Sequence, residues 1–110
     1  MNKRERKMKL NLKERLVILP ILPRESNFLT LRVIGDLRRI LSPSEEELKE
    51  YELTDTDGMI NWNKKGEEEK EIEIGDKAKE IIKESLLDLD QANKLTNDHI
   101  TVYEKFVEEK

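Results

Sequence analysis

The spacing of apolar residues changes twice along this chain, and that restricts the architectures open to it. Up to about residue 51 apolar residues recur three and four apart. Around Asp57-Gly58, and again over Glu71-Ile72-Glu73-Ile74, they alternate. From Ala78 onward the three-and-four spacing returns. The first spacing belongs to one face of a helix and the second to a half-buried strand. The order predicts an α+β domain: three N-terminal helices, a small antiparallel β-hairpin or meander, and two C-terminal helices.

Start and stop signals place the elements. Asn11 followed by Glu14 has the spacing of a capping box, so a helix opens there, with Leu12, Leu16 and Leu19 as its stripe. Pro20 cannot donate to the helical ladder, which predicts an end or kink near Leu19. Ser26 or Asn27 caps a second helix whose inner face holds Leu29, Val33, Leu37, Ile40 and Leu41. Gly35 within it costs about 1 kcal/mol relative to alanine, and close approach of another helix is the expected reason. Ser42-Pro43-Ser44-Glu45 predicts a third, short helix capped by Ser42, with Leu48 facing inward. Asp57-Gly58 suits a two-residue hairpin turn, since both positions tolerate positive φ. Gly75-Asp76 starts a long helix with Ala78, Ile81, Ile82, Leu86 and Leu89 inside. Thr96 caps the last, with Ile100, Tyr103, Phe106 and Val107 at helical spacing.

Only 31 of 110 residues are Leu, Ile, Val or Phe, while 42% are charged. That apolar share supports one small core, hence one domain over 11–110 preceded by a flexible basic arm at 1–10. With no cysteine, disulfides and thiolate metal sites are excluded. The longest apolar run, Leu16 to Leu22, is broken by Pro20 and is too short to span a membrane. The basic start followed by apolar residues faintly resembles a secretory leader, but no small-residue cleavage site follows. The expectation is an intracellular, soluble, cytoplasmic protein.

Charge is split along the chain. Residues 1–43 carry eleven Lys or Arg against four Asp or Glu, and residues 44–110 carry ten against twenty-one. The basic half supplies the candidate partner-binding residues. Lys3, Arg4, Arg6, Lys7, Lys9, Lys13 and Arg15 belong to the arm and the first helix. Arg32, Arg38 and Arg39 belong to the polar side of the second. Phosphates or an acidic protein surface would suit them. A solubilising tail and a solvated helix face are the plainer readings of the same residues.

Three helices, the third short, followed by a hairpin resemble a winged-helix domain over residues 11–75. The stretches Leu10–Leu22 (LNLKERLVILPIL), Asn27–Leu41 (NFLTLRVIGDLRRIL) and Leu95–Phe106 (LTNDHITVYEKF) also resemble small uncharacterised proteins of phages and mobile elements. The winged-helix resemblance implies DNA binding through the third helix and the wing. Here that helix carries Glu45, Glu46, Glu47 and Glu50 against Lys49. Phosphates repel such a helix, and it lacks the Arg, Asn and Gln that read bases.

Catalytic motifs are missing. There is no phosphate-binding glycine loop, dinucleotide fingerprint or serine elbow. Asp55-Thr56-Asp57-Gly58 resembles the centre of a calcium loop, but aligning Gly58 with the loop glycine puts Leu53 and Lys64 at the outer ligand positions. His99, the only histidine, cannot make a His-based metal site alone. Trp62 reads as core or half-buried, with an exposed anchor as the alternative. The expectation is a non-enzymatic interaction or regulatory protein without cofactor, binding a protein partner, itself included, through separate basic and acidic surfaces. A DNA-binding protein using the arm and the second helix is the alternative.

Overall fold

Four residues assigned to the arm are the first strand of the structure. The computed structural model describes residues 7–109. Strand β1 (Lys7–Leu10) pairs antiparallel with β4 (Lys70–Glu73), with Lys7 opposite Glu73, Met8 opposite Ile72 and Lys9 opposite Glu71. The sequence Lys-Met-Lys-Leu alternates, so one face can be buried while the other meets water. Leu10 is fully buried and Met8 packs on the core. The lysines on the other face lie across from glutamates, a favourable cross-strand arrangement.

Helix α1 (Leu12–Ile21) begins with the expected box: Glu14 N–H donates to Asn11 Oδ1 at 2.8 Å, and Asn11 N–H donates to Glu14 Oε1 at 3.0 Å. It runs two residues beyond Leu19 with Pro20 in its last turn. Pro20 costs one ladder bond there, and burial of Ile18 and Leu22 on either side favours the continued helix. Asn27 caps α2 (Phe28–Leu41) by accepting from Thr30 N–H at 2.9 Å. Gly35 has no heavy atom within 4 Å of where a Cβ would stand, so close helix approach within the chain is not the reason for it.

The cap of α3 (Glu45–Glu50) is Ser44, paired with Glu47, and not Ser42. Both serines have a glutamate three residues on; the second pair prevails because Glu47 is also held by Arg15 and Lys70. Ser42 instead closes α2, its hydroxyl donating to Arg38 O at 2.6 Å. Leu48, expected inside, is 41% exposed.

The Asp-Gly turn forms as read. Strands β2 (Thr54–Thr56) and β3 (Met59–Asn61) pair antiparallel around Asp57 and Gly58, whose φ values are +53° and +81°. All six strand residues are exposed. A 3-10 turn at Lys64–Glu67 follows, where Gly66 lies buried under Trp62; a Cβ at that glycine would stand 2.4 Å from Trp62 Cδ1. Beyond β4, helix α4 (Asp76–Gln91) buries Ala78, Ile81, Ile82 and Leu86. A 3-10 turn at Asn97–His99, with Thr96 N–H donating to His99 Nδ1 at 2.9 Å, leads into α5 (Ile100–Phe106).

The fold is therefore α+β: helices with two small antiparallel two-stranded sheets. Leu10, Ile18, Leu37, Leu41, Ile82, Leu86 and Val102 form one core, each no more than 1% exposed. In α5 the buried pair is Val102 and Phe106, while Ile100 points outward at 53% exposure. No helix among the described residues is long and apolar enough to cross a membrane.

Candidate functional site

Position on the helix decides what each candidate cation does. Arg15 lies on the buried side of α1, three residues from both Leu12 and Ile18. Its guanidinium makes a bidentate pair with Glu47 at 2.8 and 2.9 Å and donates to Leu41 O at 3.0 Å and Ser42 O at 3.2 Å. Those two carbonyls are orphans at the end of α2, and Glu47 is the capping-box residue of α3. One planar side chain thus ties α1 to the α2–α3 corner. Glu47 also accepts from Lys70 Nζ at 3.1 Å, bringing β4 into the cluster. The bond from Arg15 holds the Glu47 carboxyl far below the usual carboxylate range, against the opposing effect of burial. Arg15 is a structural residue and is unavailable to a partner, contrary to the expectation for it.

The rest of the basic segment divides. Lys3, Arg4 and Arg6 lie outside the described residues. Lys7 is 3.8 Å from Glu71, and Lys13 pairs with Asp98 at 2.9 Å. The backbone carbonyl of Lys9 accepts from Lys105 Nζ, which also bonds Glu14 at 2.8 Å and Glu69 at 2.5 Å. Burial works against the charge on Lys105, but the two carboxylates outweigh it and raise its pKa. Ion pairs from β1, α1 and α5 therefore join the basic half of the chain to the acidic half. Along this seam the two signs alternate and do not form opposite hemispheres.

Lys9 also turns its side chain to solvent on β1, and the remaining candidate cations, Arg32, Arg38 and Arg39, are on α2. Phe28, Arg32, Gly35 and Arg39 fall at i, i+4, i+7 and i+11, one strip of a helix. The opposite strip, Ile34, Leu37 and Leu41, is buried. Arg32 sits over the Phe28 ring, 5.9 Å from its centroid. Arg39 pairs with Asp36 on the exposed side. Phe28 is 72% exposed and Leu29 71%, although Leu29 was expected on the inner face. Ile40, also assigned inside, is 45% exposed. It borders a groove of about 430 Å3 whose walls include Val33, Ile74 and Ala78.

The signal for this strip was present in the sequence. The inner stripe is complete with Ile34, Leu37 and Leu41, which leaves Phe28 on the far side of the helix; Leu29 shares its angle with Val33 and Ile40 and is exposed because the first turn of α2 extends past the core. Large apolar side chains held in water beside arginines mark contact surfaces. Nothing in this strip is a nucleophile or a proton shuttle; what it offers is contact area, an aromatic face and positive charge. Compared with protein-family models, curated proteins and solved structures, the chain matches none.

Proposed function

We propose that this is a non-enzymatic interaction protein, of the small kind encoded by phages and mobile elements, that docks an acidic protein surface on the outer strip of α2. The observation that carries the reading is the exposure of Phe28 and Leu29 beside Arg32 on a helix whose other side is fully used by the core. An aromatic ring and a leucine supply apolar contact, while Arg32, Arg38 and Arg39 favour a partner bearing carboxylates. Gly35, open above its Cα, lets a partner's backbone come close. A photo-crosslinking side chain at position 29 tests this in a lysate of the source cell, with position 49 on α3 as control. A discrete adduct at 29 that disappears on Arg32→Glu with Arg39→Glu is expected. Equal adducts from both positions, or none from 29, contradict it.

The alternative is a winged-helix-like DNA-binding protein. The order α1, α2, α3 and hairpin β2–β3 supports it. In this reading the contact is α2 together with the N-terminal basic residues, because α3 presents Glu45, Glu46 and Glu50 to solvent. Binding to a random duplex at low salt that collapses as salt is added would favour it over a protein partner.

A further inference from the structure

Resting on the α2 docking reading, we infer that the occupant of that face is a second copy of this chain, bound head to tail. The receiving surface is an apolar trough on the far side of α1. One arm of it, about 370 Å3, is lined by Val17, Pro20, Ile21, Ile60 and Trp62. The other, about 230 Å3, is lined by Leu95, Ile100 and Tyr103. Thr96 and His99 border both arms, so they are continuous.

Helix α1 shows that this trough lacks cover. Leu12, Ile18 and Leu22 are buried in the core, whereas Pro20 is exposed and Val17 and Ile21, which pack on the edge of the core, are only half-buried where they line the trough. The second half of α1, Leu16 to Ile21, is apolar on every side, and such a segment is normally covered on every side. Ile60 and Ile100, both about half exposed, extend the uncovered area.

Charge selects the occupant. Glu104 and Glu108 border the arm beside α5, where Asp90 also accepts the Tyr103 hydroxyl at 2.9 Å; in the other arm Asp98 is paired with Lys13, so the excess of negative charge lies at the α5 end of the trough. The α2 strip offers the opposite sign around the same kind of apolar surface, with Arg32 beside Phe28 and Leu29. The strip does not suit its own copy. An antiparallel contact of two α2 helices centred between Gly35 and Asp36 would set Arg32 of each against Arg39 of the other. Within one molecule α1 packs against α2 and stands between the strip and the trough, so the two surfaces meet only between molecules. Such a heterologous contact extends into an open chain or closes into a ring.

Sedimentation velocity on purified full-length protein tests this with two variants that change only exposed side chains. Phe28→Glu with Leu29→Glu removes the inserted surface; Ile60→Glu with Ile100→Glu spoils the trough. Circular dichroism checks that each still folds. The unmodified protein is expected to gain mass with concentration and each variant alone to remain a monomer. An equimolar mixture of the two variants is expected to restore a species of twice the monomer mass and nothing larger, since one intact strip then meets one intact trough. If each variant abolishes association but mixing does not restore it, the contact is not head to tail. If the unmodified protein stays monomeric up to about 1 mM, a concentration that detects even a weak complex, the second copy is refuted. In that event a charge-dependent adduct from position 29 with another protein would leave the docking reading standing, and its absence would remove both.

Discussion

Arg15 on α1 and Arg32 on α2 belong to neighbouring, packed helices, and the fold uses them in opposite ways. Arg15 is on the buried strip of its helix, where a carboxylate and two helix-end carbonyls take up its donors. Arg32 is on the outer strip, stacked over an exposed phenylalanine. The side chain is the same; the rotation of the helix about its axis decides whether its charge stabilises the fold or faces a partner. A count of basic residues cannot separate these cases, because net charge is silent about which face a residue occupies.

The sharpest way to break the contrast is to empty the buried site. Glu47→Ala leaves the 4%-exposed Arg15 side chain without its carboxylate and is expected to cost about 3–5 kcal/mol in urea unfolding. Acid should act on the same bond. The Glu47 carboxyl titrates below its unfolded value of 4.5, so its contribution is complete above that pH. Stability is then lost as pH falls below 4.5 towards the folded-state value. Glu47→Gln should flatten this part of the acid dependence, and an unchanged slope would assign it to other carboxylates.

Two glycines sharpen the contrast further. Gly66→Ala drives a methyl into the Trp62 ring and is expected to destabilise by about 1–3 kcal/mol with a shift in tryptophan fluorescence. Gly35→Ala meets no atom of the chain and should stabilise α2 by about 1 kcal/mol in the same assay. If alanine at 35 also weakens association, close backbone approach is part of docking. The smallest change is expected from Phe28→Ser, which removes a 72%-exposed ring and should leave stability within about 0.5 kcal/mol.

Much of the fold was legible because caps and turns act over three or four residues. Asn11 with Glu14, Asn27, and Asp57-Gly58 form structure that their own neighbours decide. The pairing of Lys7–Leu10 with Lys70–Glu73 was missed because its partner is some sixty residues away in sequence. Only the alternation of Lys7, Met8, Lys9 and Leu10 hinted at a strand. Ser42 and Ser44 offered equal local cap signals, and a long-range bond from Arg15 to Glu47 distinguished them. The candidate site was legible in half. Arg32, Arg38 and Arg39 were placed on the polar side of α2, whereas Leu29 was expected inward and faces water instead, beside an exposed Phe28. Arg15, counted with the surface cations, shares its helix strip with Leu12 and Ile18, a placement that its spacing already implied.

Equilibrium urea unfolding of Arg15→Ala and Arg32→Ala, measured side by side at neutral pH, tests most directly whether these two arginines have been assigned correctly. Loss of Arg15 should lower stability by about 3 kcal/mol or more, since it removes the bidentate partner of Glu47, leaving that carboxylate to Lys70 and the Ser44 N–H, and strips two helix-end carbonyls of their donor. Loss of Arg32 should change it by less than about 0.5 kcal/mol. Equal losses, or a larger one at Arg32, would contradict the division between an inward arginine that holds the fold and an outward one free to bind.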